Sequence, residues 1–270
     1  MFGSPGIWDY KGSLLARHGY VTLALGFHGK ALEEIHPRNK ITSLPALTMS
    51  YIHKAIDFLR NHPKVDTSCG GVGVVSMSGS VSVSLLMSVH SRHIKCVVCS
   101  NGPISNFMGD FICEDKTYPP INNHNGEGIT LHKYDSSEKP GVVMRTMRWF
   151  FETLSPTGET DPPQARIPFQ EQKDVGFLYI AGLSDQNVPS EYFANVFERQ
   201  LKAVGHPNFK VVRYPGAGHF IEPPYEPHSF MIFFPYFRRN FVYGGKTKAH
   251  YKAQVSAWTE TLQFLRNNLS

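Results

Sequence analysis

The sequence predicts an α/β fold in which a mostly parallel sheet carries helices on both faces. Two observations support this prediction: short apolar runs alternate with longer segments of helical periodicity, and polar residues follow the ends of three of the runs. The chain has 270 residues, of which 41% are hydrophobic and 18% are charged, so it is long enough to bury a sizeable core. We therefore expect one domain over residues 1–270.

Strands are predicted where short apolar runs are bounded by glycine, proline or polar residues. These runs are residues 20–26, 71–78, 94–100, 177–181 and 209–214. Helices are predicted where apolar residues recur every three or four positions. These segments are residues 7–17, 47–61, 191–203 and 249–267. Their order along the chain predicts parallel strands joined by helices that cover the sheet.

One long segment interrupts this alternation. Residues 103–172 contain a polar stretch rich in glycine and proline at 118–140, followed by a predicted helix at 142–154. Long insertions beside a sheet often shape a binding pocket, and we expect that role for this excursion.

The second short run, residues 71–78, ends in a serine-rich turn. The segment from Gly71 to Ser80 reads GVGVVSMSGS, and a strand that turns sharply into a helix at a serine is typical of the nucleophile elbow, G-x-S-x-G. Both glycines of that pattern are replaced here, by Ser76 and Ser80, so a plain Ser-rich loop is the competing interpretation. Ser78 is the better candidate nucleophile than Ser76, because Ser76 lies inside the predicted strand and Gly79 follows Ser78.

A serine hydroxyl needs a histidine to take its proton and a carboxylate to orient that histidine. Asp185 follows the run at 177–181, and His219 follows the run at 209–214, which is the chain order of an α/β-hydrolase. Because the carboxyl ends of parallel strands meet at one edge, we expect Ser78, Asp185 and His219 to lie together. The competing interpretations are that Asp185 caps the following helix and that His219 is an ordinary loop histidine. The other histidines considered as the base are His28, His90, His124 and His228.

The oxyanion of an acyl-transfer reaction needs backbone donors. We expect the N–H of Gly79 to provide one and the loop at residues 2–6, represented by Gly3, to provide the other. The alternative for residues 2–6 is a flexible terminus.

Composition and sequence motifs narrow the expected partners, metals and cellular location of the protein. The net charge of +5 comes from scattered lysines and arginines, so nucleic acid is not expected as a partner. Cys96 and Cys99 have the Cys-x-x-Cys spacing of a redox or zinc site, which is the competing interpretation. The four cysteines provide no second pair, and Cys96 with Cys99 is predicted to lie in a buried strand, so no metal is expected. No apolar run is long enough to span a membrane, and no targeting signal was found, which favours a cytoplasmic location. The sequence carries no signal for an oligomeric state.

Several segments resemble one known family, the acyl-CoA thioesterases related to bile acid-CoA:amino acid N-acyltransferase, in their C-terminal α/β-hydrolase domain. The resemblance covers nearly the whole chain. It is carried by DYKGSLLA at 9–16, the elbow at 71–78, SEYFAN at 190–195, YPGAGHFIEPPY at 214–225, GGK at 244–246, AH at 249–250 and AQVSAW at 253–258.

The resemblance implies hydrolysis of a fatty acyl-CoA to free acid and CoA through Ser78, Asp185 and His219, with the CoA thioester as substrate and no cofactor. It assigns cysteine to the acyltransferase branch, so Ser78 favours water as the acceptor. Val81 departs from the family's second elbow glycine. The family also carries an N-terminal β-sandwich and the first hydrolase strands, so we expect an N-terminally truncated fold. The alternatives are another serine esterase, an N-acyltransferase, or a catalytically impaired product that binds acyl chains or a partner.

Overall fold

The computed structural model describes residues 9–26, 46–66, 68, 70–107, 109–121, 132–134, 144–146, 163–234 and 239–269. The helices are α1 (Asp9–Ala16), α2 (Met49–Arg60), α3 (Ser80–His90), α4 (Ser190–Ala203) and α5 (Thr247–Leu269). The strands are β1 (Leu47–Thr48), β2 (Val72–Met77), β3 (Ile94–Ser100), β4 (Phe111–Ile112), β5 (Thr117–Tyr118), β6 (His132–Tyr134), β7 (Met144–Thr146), β8 (Gly176–Gly182), β9 (Phe209–Tyr214), β10 (Met231–Phe234) and β11 (Arg239–Val242).

The central sheet has four parallel strands in the order β2-β3-β8-β9. Parallel strands need long crossovers, and here α3 connects β2 to β3 while α4 connects β8 to β9. All seven residues of β8 are buried, as expected for a strand in the middle of a sheet that is covered on both faces. The predicted parallel α/β sheet is therefore confirmed.

Two apolar clusters lie on opposite faces of this sheet. On one face, α2, α3 and α4 bury residues such as Ile52, Leu86 and Phe197 against the strands. On the other face, α5 packs Ala257 and Leu265 against the sheet, with α1 beside it. Helices thus cover both faces of the sheet, as the sequence predicted.

Helix α1 is joined to the loop after β9 by polar contacts. Lys11 forms an ion pair with Glu222, and the Tyr10 hydroxyl donates a hydrogen bond to the same carboxylate oxygen at 2.8 Å. Both side chains of the ion pair are nearly buried, at 14% and 10% exposure. Glu222 lies three residues after His219, so α1 is attached directly to the segment that carries the predicted base.

Two predicted elements were wrong. Residues 20–26 form no strand, because a strand requires a hydrogen-bonded neighbour and no described strand pairs with them. Within the predicted helix at 142–154, the described residues Met144–Thr146 form β7, which pairs with β6 and β11. A short apolar run does not distinguish helix from strand, and pairing with distant residues decided this case.

The other predicted elements are confirmed to within three residues at each end.

The predicted excursion at 103–172 is described only in part: β4 and β5 form a small sheet with β1, and β6 and β7 join β10 and β11 in another. Its effect on a substrate pocket stays a prediction.

Candidate active site

Ser78 occupies a tight turn between β2 and α3. Its φ angle is +57°, in the left-handed region that side chains rarely adopt. Gly79 comes next, with the right-handed helical angles of a helix cap, and α3 begins at Ser80. This is the geometry expected of a nucleophile elbow, in which the turn lifts the serine hydroxyl above the end of the sheet.

The two serines that replace the elbow glycines are both buried and hydrogen-bonded. Ser76 Oγ lies 2.7 Å from Ser84 Oγ and donates to the Val98 carbonyl at 3.1 Å. Ser80 Oγ donates to the Met77 carbonyl at 2.7 Å. Because these bonds satisfy the added hydroxyls, the substitutions are compatible with the turn. Ser76 is buried within β2, so Ser78 is the serine at the tip of the turn.

Val81 occupies the position of the second elbow glycine in the family that the sequence resembles. Its side chain fits because the residue that faces it, after the neighbouring strand β3, is a glycine. Gly102 follows β3, and a Cβ atom built there would lie 2.5 Å from Val81 Cγ2 and 2.2 Å from the Ser78 carbonyl oxygen. A side chain at position 102 would therefore collide with the elbow. The missing glycine at position 81 is offset by a glycine at position 102.

His219 joins Ser78 to Asp185. Its Nε2 lies 2.9 Å from Ser78 Oγ, and its Nδ1 lies 2.7 Å from Asp185 Oδ2. His219 is fully buried and Asp185 is 3% exposed. The structure thus brings together the three residues that sequence reasoning selected, at the carboxyl ends of β2, β8 and β9.

The other candidate histidines are bonded elsewhere or lie outside the described residues. His90 contacts the Tyr118 hydroxyl at 3.0 Å, and His228 contacts the Gly244 carbonyl at 2.9 Å. His28 and His124 lie outside the described part of the chain.

The two carboxylate oxygens of Asp185 have different hydrogen-bond partners. Oδ1 accepts the backbone N–H groups of Asn187 and Val188, at 2.8 and 2.9 Å. Oδ2 contacts His219 and also accepts the Ser190 hydroxyl at 2.5 Å. The carboxylate therefore organises the loop before α4, as the capping interpretation expected, while its second oxygen faces the histidine. Four donors hold it in place.

Backbone contacts fix the loop of His219. Its N–H donates to the Tyr243 carbonyl at 2.9 Å, and the Tyr243 ring stacks on the imidazole with centroids 5.3 Å apart. Asn101, which has a φ of +48°, donates from Nδ2 to the carbonyls of Gly218 and His219. Its Oδ1 accepts the Gly182 N–H at 2.7 Å. Asn101 thereby ties the ends of β3 and β8 to the histidine loop.

Sequence reasoning missed Asn101 and Tyr243 as supporting residues. Asn101 is 118 positions from His219, and no local pattern reports such a contact. The only available signal was its place directly after an apolar strand, where asparagine readily adopts a positive φ. Ser190 was singled out only as part of a segment that carries the family resemblance.

Of the two predicted oxyanion donors, Gly79 is described and Gly3 is not. Gly79 follows Ser78 at the beginning of α3, where backbone N–H groups lack intrahelical partners. Gly3 lies outside the described residues. The assignment of the oxyanion hole to these two residues stays a prediction.

The described residues contain no cluster of three or more metal-binding side chains. The Cys96 and Cys99 thiols are buried in β3 and form no disulfide, and burial raises the pKa of each to about 12. Both are inert at neutral pH, as the prediction of a buried strand implied. No described helix has the length and hydropathy needed to cross a bilayer.

A half-buried hydroxyl in line with a buried imidazole and a buried carboxylate can be activated as a nucleophile. The imidazole accepts the hydroxyl proton, and the carboxylate stabilises the imidazolium that results. The elbow and this line, set at the carboxyl edge of a parallel sheet, define the class of protein as an α/β-hydrolase.

Comparison with known families makes the assignment more specific. The chain belongs to the family described as BAAT / Acyl-CoA thioester hydrolase C terminal, whose model matches residues 47–270. The chain is 30% identical over 268 residues to the mouse bile acid-CoA:amino acid N-acyltransferase, covering 99% of this chain and 58% of that protein. It is 30% identical over 272 residues to human acyl-coenzyme A thioesterase 6, covering 100% of this chain and 59% of that protein. The chain thus spans less than two thirds of the length of these curated relatives.

Solved structures with similar folds are more distant. An esterase of Pyrococcus furiosus matches with a TM-score of 0.40 and 15% identity, covering 82% of this chain and 61% of that one. A pyrethroid hydrolase matches with a TM-score of 0.42 and 14% identity, covering 98% and 95%. The sheet order and the elbow of this chain define its fold by themselves.

Proposed function

We propose that this protein hydrolyses the thioester of an acyl-CoA, with Ser78 as the nucleophile, His219 as the general base and Asp185 as the residue that orients it. The observation that carries the proposal is the pair of contacts made by His219, 2.9 Å to Ser78 Oγ and 2.7 Å to Asp185 Oδ2. Membership of the family supports a thioester as the bond that is cleaved.

In the first half of the reaction, Ser78 Oγ attacks the thioester carbonyl carbon while His219 Nε2 takes the hydroxyl proton. The negative charge that develops on the carbonyl oxygen is stabilised by the Gly79 N–H, with a second donor predicted from the loop of Gly3. The C–S bond then breaks, and the CoA sulfur receives the proton from His219. The acyl group remains as an ester on Ser78.

In the second half, His219 Nε2 takes a proton from a water molecule, which attacks the acyl-serine carbonyl. The bond to Ser78 Oγ breaks, His219 returns the proton to that oxygen, and the carboxylic acid leaves. Asp185 stays ionised throughout and stabilises the imidazolium formed in each half.

A second candidate function is acyl transfer to an amino acid. It is favoured by the curated relatives that are named as N-acyltransferases, at 30% and 28% identity. In the family resemblance the transferase branch uses cysteine, whereas this chain has Ser78. An oxygen ester left on serine is the intermediate that water removes in serine hydrolases, which makes hydrolysis the better supported outcome.

The test compares substrates and acceptors on the same preparation. Palmitoyl-CoA and a panel of p-nitrophenyl esters are supplied with and without glycine or taurine, and free acid, CoA and amide are measured. We expect free acid and CoA from palmitoyl-CoA, no amide, and slower cleavage of the esters. Ser78→Ala should abolish turnover, whereas Ser76→Ala, which removes a buried hydroxyl two residues earlier in β2, should retain it. Amide as the main product would establish transfer, and preference for the esters would establish a general esterase.

A further inference from the structure

One histidine of the last helix contacts both neighbours of His219. Gly218 donates its backbone N–H to His250 Nδ1 at 3.0 Å. His250 Nε2 lies 2.7 Å from the Phe220 carbonyl oxygen. Because Nδ1 accepts a hydrogen bond, the ring is neutral and carries its proton on Nε2, which donates to that carbonyl. The two bonded peptide groups belong to the residues directly before and after His219.

The packing around His250 leaves little freedom for this arrangement. His250 is 2% exposed and lies in the first turn of α5. A Cβ atom built on Gly218 would lie 2.4 Å from the Gly244 carbonyl oxygen, and one built on Gly245 would lie 2.6 Å from the Gly218 nitrogen. Because Gly218 and Gly245 have no side chains, the backbone of the His219 loop packs directly against the backbone of the segment that leads into α5.

The surroundings of His250 also favour its neutral form. Burial lowers the pKa of this imidazole, and the nearby His228 ring, 4.4 Å away between centroids, acts in the same direction. The hydrogen bond to the Phe220 carbonyl, second in size to burial, and the carboxylates of Glu222 and Asp185 raise the pKa, but burial outweighs them and the net direction is downward. A neutral ring is the form that can accept from Gly218 and donate to Phe220 at once.

We infer that His250 is a positioning residue for His219: it holds the peptide groups on both sides of the base, and so sets the distance from its ring to Ser78 and Asp185. The inference rests on the proposed function for its meaning in catalysis. No contact joins His250 to the reacting atoms of Ser78, so its effect is exerted through the loop. A displacement of the base by about 1 Å is enough to lower a rate by roughly 100-fold.

The chain contains a matched control at the opposite end of the sheet. His206 accepts the Asn208 N–H on Nδ1 at 3.3 Å and contacts the Gln172 carbonyl through Nε2 at 3.0 Å. It is 6% exposed, and burial lowers its pKa as well. His206 therefore has the same bonding pattern and burial as His250 but lies beside the amino end of β8, away from Ser78.

The experiment replaces each histidine by Ala, Asn and Gln. At position 250, Asn can keep the acceptor for Gly218, Gln can keep the donor for Phe220, and Ala keeps neither. Palmitoyl-CoA hydrolysis is measured per folded molecule, together with the rate at which a fluorophosphonate labels Ser78. We expect His250→Ala to lower kcat roughly 10- to 100-fold with KM within about twofold, and to slow labelling in proportion. His250→Asn and His250→Gln should retain intermediate activity, and all three His206 variants should retain the kcat of the unmodified protein.

A second readout separates this inference from the proposed function. The proton on His219 Nδ1, donated to Asp185, gives a low-field proton NMR signal that is assigned by its loss in Asp185→Ala. We expect this signal to broaden or disappear in His250→Ala and to persist in His206→Ala, whether or not the protein hydrolyses acyl-CoA. If palmitoyl-CoA is not cleaved but the signal responds in this way, the proposed substrate is wrong and the positioning role stands. An unchanged signal and unchanged labelling in His250→Ala, or equal losses at positions 250 and 206, would overturn the inference. If His250→Ala does not fold, the Asn and Gln variants provide the same comparison.

Discussion

The two ends of the parallel sheet bury different kinds of side chain. At the amino end, the rings of Phe169, Phe177 and Phe197 pack together with centroid distances of 5.0 to 6.1 Å, and all three are fully buried. At the carboxyl end, the polar side chains of Asn101, Asp185 and His219 are buried, and Ser78 and Asn101 both have positive φ angles. The first end buries apolar area with ordinary backbone, whereas the second buries charge and strained backbone.

Burial at the amino end therefore raises the free energy of unfolding, whereas the backbone conformations at the carboxyl end lower it. Aromatic burial stabilises the fold by about 1.5–3 kcal/mol for each fully buried ring. A residue in a sparsely populated backbone region costs about 1–3 kcal/mol and persists only when its surroundings hold it. Substitutions at the carboxyl end should therefore change activity more than stability, and substitutions at the amino end should do the opposite.

The largest effect is expected from Asp185→Asn. Asparagine can keep the bonds from Asn187 and Val188, but its amide nitrogen would face His219 and favour the wrong tautomer of the imidazole. We expect kcat for palmitoyl-CoA to fall by about 10⁴-fold with only a small change in unfolding free energy. Steady-state kinetics beside urea denaturation measures both quantities. A loss of less than about tenfold would remove Asp185 from the proposed mechanism.

The converse substitution is Phe197→Ala at the amino end. Removing a fully buried ring that stacks on Phe169 at 5.0 Å should lower the unfolding free energy by about 3–5 kcal/mol. The kcat per folded molecule should stay within about twofold, because the ring contacts of Phe197 are with Phe169, Phe177 and Tyr179 and not with residues of the His219 loop. The measurement is a urea titration followed by kinetics below the transition. Loss of kcat without loss of stability would break the contrast between the two ends.

A smaller effect on both quantities is expected from Gly102→Ala. The new methyl group would meet the Ser78 carbonyl oxygen and Val81, so the elbow must shift. We expect about 1–3 kcal/mol of destabilisation, as for other overpacked sites, and reduced labelling of Ser78 by a fluorophosphonate. Adding Val81→Gly should recover part of the loss by removing one of the two collisions. No change on Gly102→Ala would mean that this glycine does not accommodate Val81.

The smallest expected effect is a pH dependence of stability, to which a buried histidine at each end of the sheet should contribute. Burial lowers the pKa values of His206 and His250, so their folded forms stay neutral while the unfolded chain takes up protons near pH 6.5. The unfolded state then binds more protons, and stability should decline as the pH falls below about 6.5. Urea midpoints measured across this range should fall less steeply in His206→Asn and in His250→Asn. An unchanged pH dependence in either variant would show that the burial of that histidine is not linked to stability.

Much of the fold could be predicted because its signals are local. The central strands are continuous apolar runs, and the helices have regular apolar spacing, so their positions depend on neighbouring residues alone. Ser78, Asp185 and His219 were selected for a related reason: the ends of parallel strands meet at one edge, so their chain positions predicted their proximity.

The remaining features depend on contacts between distant residues. Residues 20–26 have the apolar character of a strand, but strand formation requires a pairing partner that composition does not report. The contacts of Asn101 and His250 with the His219 loop span 118 and 30 positions. His250 lies in a segment that carries the family resemblance, but the resemblance assigned it no role.

The most direct test of the central claim is to trap the acyl-enzyme. The protein is mixed with palmitoyl-CoA, quenched in acid within the first turnovers, digested and analysed by mass spectrometry. We predict a palmitoyl group on the peptide that contains Ser78, absent in Ser78→Ala and still present in Ser76→Ala. A palmitoyl group on another residue, or turnover that persists in Ser78→Ala, would contradict the assignment of Ser78 as the nucleophile.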